Sequence, residues 1–94
     1  MIIRILGEGQ YRVDEGALAN LNSIDDKIEQ AVSDADQQAL TAHLTALHNE
    51  IIATGQPVAD DELVDSDLVL PSADATLEDV RELLEESQEG LLPG

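Results

Sequence analysis

At the start of the chain, Ile3 and Ile5 alternate with Arg4 and Leu6, and a few residues later Tyr11 and Val13 alternate with Arg12. A period of two is the signature of a half-buried strand. Between the two runs, Gly7-Glu8-Gly9 supplies residues that tolerate positive φ, so residues 1–13 predict a β-hairpin whose first strand begins at the first methionine. A three-residue turn over residues 7–9 pairs Leu6 with Gln10 and sets Arg4 opposite Arg12 on one sheet face. Like charges so placed repel and need acids nearby. Glu8 and a later acidic stretch are available, which favours internal pairing of the two arginines over a partner-facing role.

The period then changes. Over residues 14–35, Leu18, Leu21, Ile24 or Asp25, Ile28 and Val32 recur at steps of three and four, the spacing of one helical face. Asp14 is placed to cap this helix, but Gly16, Asn20, Asn22 and Ser23 are weak helix formers, so a late start or a bend near Asn22 is expected. After Ser33-Asp34-Ala35-Asp36, a second stripe runs through Leu40, Leu44, Leu47 and Ile51, widened by Ala39, Ala46 and Ile52, until Gly55 and Pro57 stop it. So short a break predicts an antiparallel helical hairpin. Residues 55–67 are rich in Gly, Pro and acids and read as an irregular crossing.

Leu68-Val69-Leu70, closed by Pro71, suits a short third strand on the hairpin or a buried extended segment, and Pro71 favours a sheet edge. Thr76-Leu77-Glu78-Asp79 has the form of a capping box ahead of Val80, Leu83 and Leu84, predicting a third helix. Glu85, Glu86 and Glu89 crowd the negative end of its dipole before Gly90, so its last turn should fray. The fold class expected is α+β in one domain over residues 1–94: an N-terminal β-hairpin, with a possible third short strand, packed against a helical hairpin and a short third helix. The predicted core is Ile3, Ile5, Val13, Leu21, Ile28, Val32, Leu40, Leu44, Leu47, Ile51, Leu70, Val80 and Leu83.

Composition narrows the function. Tyr11 is the one aromatic residue and cysteine is absent, so the core is aliphatic and neither disulfides nor thiolate chemistry is available. Twenty-one acids against four Lys and Arg give a formal net charge of −17. A nucleic-acid partner would need clustered cations and is excluded, and direct adhesion to an anionic membrane is disfavoured for the same reason. The acidity suits either a basic partner or simple solubility. No apolar run approaches a membrane span, and the opening residues do not follow the pattern of a secretory signal, so a cytoplasmic protein is expected.

Chemical motifs are weak throughout. His43 and His48 are five residues apart, about 140° around a helix, and cannot share a metal; solvent exposure is expected for both. Asp60, Asp61, Glu62, Asp65 and Asp67 invite a calcium loop, but counting from Asp65 the sixth and twelfth places hold Leu70 and Thr76 instead of Gly and Glu. Gly7-Glu8-Gly9 is not followed by a helix N-terminus and cradles no phosphate. The carboxylates lie on exposed-looking stretches without an apolar pocket, and no serine stands in a nucleophile elbow. The expectation is a protein that is not an enzyme and has no cofactor.

Four segments, MIIRILGEGQY at the start, LNSIDD at 21–26, SDLVLPSADATLEDV at 66–80 and GLLPG at 90–94, together resemble the PspA-associated proteins of the phage-shock, or envelope-stress, system. The resemblance spans the chain. It implies a noncatalytic adaptor whose partner is PspA-like, a coiled-coil protein that assembles on stressed membranes, and recruitment to the inner face of the membrane through that partner. The candidate partner-binding residues are Arg4, Tyr11, Arg12, Leu68, Leu70, Leu91 and Leu92, with acidic helix faces steering association. The competing reading is a self-associating module that forms a homodimer through an unprotected sheet edge, its acidity serving only solubility.

Overall fold

The structure, a computed structural model, describes residues 1–59, 61, 62 and 64–87. It is an α+β fold with strands β1 (Ile2–Ile5), β2 (Gly9–Arg12), β3 (Gln56–Pro57) and β4 (Leu68–Leu70) and helices α1 (Leu18–Ser33), α2 (Gln37–Thr54) and α3 (Leu77–Ser87). The strands form one mixed sheet in the order β3-β2-β1-β4. β1 pairs antiparallel with β2 and parallel with β4, which confirms the third strand at an edge. The two-residue β3 on the opposite edge was not foreseen, because its sequence, Gln56-Pro57, carries no strand signal.

The hairpin is present with a different register. Ile5 lies opposite Gly9, Arg4 opposite Gln10 and Ile2 opposite Arg12, so the expected Arg4–Arg12 cross-strand pair does not form. The turn is residues 6–8, closed by Glu8 N–H donating to the Ile5 carbonyl at 2.9 Å, with Gly7 at φ +89° as the turn requires. The slip amounts to two residues in the pairing sum and therefore leaves every side chain on its expected face.

One face of the sheet carries Ile3, Ile5 and Leu70 into an aliphatic core shared with Val13, Leu21, Ile28, Val32, Leu40, Leu44, Leu47, Ile51 and Val80. Of the expected core only Leu83 is half-buried, packed at the margin. On α2 the stripe is narrower than expected: Ala46 and Ile52 are exposed. On α1 it is Asp25 that is buried and partnered, while Ile24 is half-buried.

Helix ends follow local chemistry. α1 begins late, after a 3-10 turn at Glu15–Ala17, and the Asp14 side chain caps nothing. At the other end Asp36 N–H reaches the Ala31 carbonyl and Ala35 N–H that of Val32, a Schellman closure. Ala35 takes the left-handed position at φ 53°, where glycine is usual and alanine costs about 1 kcal/mol. Asp36 then caps α2 by accepting from Ala39 N–H at 3.0 Å. α2 stops at Gly55, whose backbone is extended, and glycine suits this exit because a Cβ there would lie 2.7 Å from the Ile51 carbonyl oxygen. The capping box of α3 forms in both directions: Asp79 N–H donates to Thr76 Oγ1 and Thr76 N–H to Asp79 Oδ2. The expected fraying beyond α3 and the stop at Gly90 lie outside the described residues.

Candidate functional site

β3 and β4 occupy opposite edges of the sheet, so the chain joining them must traverse one of its faces. The inner face is filled by the core, and the crossing runs over the outer one. Its contacts are specific. Val58 N–H donates to the Gln10 carbonyl, and the Gln10 side-chain amide donates to the Val64 carbonyl at 3.1 Å and to Ser66 Oγ at 2.8 Å. Arg12 reaches Glu62 at 3.4 Å, an ion pair with both side chains about half exposed. Asp67 exchanges hydrogen bonds with Ile2, accepting on its carboxylate from Ile2 N–H and donating its own N–H to the Ile2 carbonyl. Val58 is buried under this layer, apart from the main core.

Because β4 runs parallel to β1, the crossing has to deliver the chain to the Ile2 end of β1. The described residues of the crossing leave Leu6 and Val69, toward the other end of the outer face, exposed. Val69 is in register with Arg4, and Leu6 continues the outward alternation past the end of β1. Leu6 and Val69 are 49% and 48% exposed, and Arg4 between them is exposed as well. The patch stands on rigid backbone, since Leu6 N–H donates to the Leu70 carbonyl at 3.2 Å.

Beside Leu6 opens a cleft of about 440 Å³ whose walls include Pro71, Leu83 and the acids Asp74, Asp79 and Glu82. It lies at the surface, and two of its acids already have structural duties, Asp79 in the α3 capping box and Asp74 accepting from the Ser72 hydroxyl. Among the described residues no group of three or more His, Asp or Glu side chains converges to hold a metal. The segment behind the cleft is tied to α2 by two side chains. Gln37 donates to the Ala75 carbonyl and accepts from Leu77 N–H, and His48 Nε2 lies 2.8 Å from the Pro71 carbonyl oxygen.

His48 is therefore buried at 5% exposure, not solvent-exposed as expected. Desolvation holds its pKa below the ordinary 6.5, opposed in part by the bond to Pro71 and by the nearby Glu8 carboxylate. The neutral ring with a proton on Nε2 is the form that donates to this carbonyl.

The candidate partner residues separate into distinct environments. Arg4 is exposed in the open patch, whereas Arg12 is engaged by the acidic crossing, the internal pairing expected of it. Tyr11 and Leu68 are half-buried on the core side. Leu70 is fully buried, since an inward position opposite Ile5 faces the core, and it offers no surface to a partner. Leu91 and Leu92 lie outside the described residues. Leu6 and Val69 went unremarked as surface candidates, although each is an apolar residue at an outward position of a strand pattern, a signal present in the sequence.

The family model described as PspA-associated protein matches residues 1–94, and the chain belongs to that family. No curated protein and no solved structure matches it. Among the described residues no helix is long and apolar enough to cross a membrane.

Proposed function

We propose that this member of the PspA-associated family is a noncatalytic adaptor that binds a PspA-like coiled-coil protein in the envelope-stress response. The observation that carries the reading is the family match along the whole chain, whose name points to association with PspA. The charge of −17 supports an electrostatic mode of capture. Exposed acids such as Asp26 on α1 and Glu78, Glu82 and Glu85 on α3 meet Lys and Arg of the partner, raising the encounter rate. On this reading the chain works in the cytoplasm and reaches the inner face of the membrane through its partner rather than by its own affinity for lipid.

Titrating purified PspA with this protein at about 50 mM and about 500 mM salt tests the proposal, because the screening length shrinks severalfold over that range. Binding at low salt that weakens at high salt is the expected result. No binding at low salt overturns it. The short, outermost β4 favours the second reading, self-association through the sheet edge. Light scattering tests that version directly, and a mass that stays monomeric as concentration rises ends it.

A further inference from the structure

We infer that the open end of the outer sheet face, where Leu6 and Val69 flank Arg4, docks one helix of the coiled-coil partner, which also sends a Lys or Arg side chain into the adjoining acid-lined cleft. The inference rests on the adaptor reading and names the surface it uses. Leu6, Val69 and Ile52 are the exposed large hydrophobic residues among those described, and the β1–β4 pairing gathers the first two around Arg4. Neither belongs to the buried core, and both stand about half exposed in an otherwise strongly acidic chain.

The surface carries both signs of charge in a fixed order. Arg4, one of only four Lys and Arg residues, sits within the apolar strip, and Asp74, Asp79 and Glu82 rim the cleft beyond Leu6. A helix from a coiled coil presents that combination, apolar residues bordered by acids and bases at neighbouring positions. Its acid complements Arg4, and the long stem of a Lys or Arg crosses Leu6 and Leu83 to place its cation among the carboxylates. An added strand suits this site less, because β4 has three residues and Pro71 closes it. The site is also preorganised: the Leu6–Leu70 hydrogen bond, His48 on Pro71 and Gln37 on Ala75 and Leu77 hold its walls before any partner arrives.

The test measures affinity for purified PspA at low salt for the unaltered protein and for Leu6→Asp, Val69→Asp, Arg4→Glu and, as a control, Ile52→Asp. All four positions are exposed, and melting temperatures check that each variant folds; Leu6→Ser and Val69→Thr replace any that does not. Each of the three patch variants should weaken binding about tenfold or more, with Ile52→Asp within about twofold. Unchanged affinity in both Leu6→Asp and Val69→Asp overturns the surface while leaving the adaptor reading intact. Failure of the unaltered protein to bind overturns the adaptor reading itself. A dimer that the patch variants dissociate without altering PspA binding assigns the surface to a second copy and equally overturns this inference.

Discussion

The two ends of the outer sheet face are built from one strand pattern and meet opposite fates. Along β2 and toward the Ile2 end, Gln10 and Arg12 hold an acidic crossing segment down by hydrogen bonds and an ion pair, and Val58 is buried beneath it. At the Leu6 end, Val69 and Leu6 stand in solvent on either side of Arg4. The direction of β4 makes the difference. Pairing parallel to β1 obliges the incoming chain to land beside Ile2, and the described residues of the crossing leave Leu6 and Val69 about half exposed. Topology, rather than local hydrophobicity, decides which outward-facing residues are free to meet a partner.

Adjacent residues on β4 give the sharpest contrast. Leu70→Ala should cost about 2–5 kcal/mol in chemical denaturation, since a fully buried side chain is lost from a packed core. Val69→Ala should stay within about 0.5 kcal/mol. Equal losses at both positions would mean that the outer face is covered after all. The cross-strand partners Gln10, under the crossing, and Arg4, outside it, separate the covered and open parts of the face next. Gln10→Ala removes the donor to the Val64 carbonyl and Ser66 and should cost about 1–3 kcal/mol, while Arg4→Gln should leave stability nearly unchanged.

A smaller effect is expected at His48, which steadies the chain just after β4. The folded ring resists protonation while the unfolded chain takes up a proton near pH 6.5, so the unfolded state binds more protons as pH falls through that value. Stability should decline below about pH 6.5 more steeply than in His48→Gln, read as the difference in melting temperature between pH 7 and pH 5.5. Both proteins share the carboxylate background, and parallel curves would show that His48 titrates alike folded and unfolded. Arg12→Gln should also cost under about 1 kcal/mol, because its ion pair with Glu62 is about half exposed.

Much of this architecture was legible in the residues. Alternation located both hairpin strands, a short apolar run closed by Pro71 located β4, three-four spacing found the helices, and the Thr76–Asp79 box fixed the start of α3 because its reciprocal hydrogen bonds are purely local. What eluded the sequence depends on distant contacts. Gly7 and Gly9 both accept positive φ, so composition did not choose between two hairpin registers. Asp36 was hidden as a cap because Ala35 takes a backbone conformation usually reserved for glycine. His48 shares its surroundings in sequence with exposed residues, and only the return of the chain at Pro71 gives its ring a buried acceptor. Arg4 was named as a partner-binding candidate and Leu6 and Val69 were not, for alternation tells which face a residue occupies but not whether another segment will cross it.

The central claim, that the uncovered end of the sheet receives the partner helix, is tested most directly by methyl cross-saturation from unlabelled PspA to this protein carrying labelled Ile, Leu and Val methyls. The account predicts strong transfer to Leu6 and Val69 and none to Ile52. Transfer to Ile52 with Leu6 and Val69 silent would contradict it.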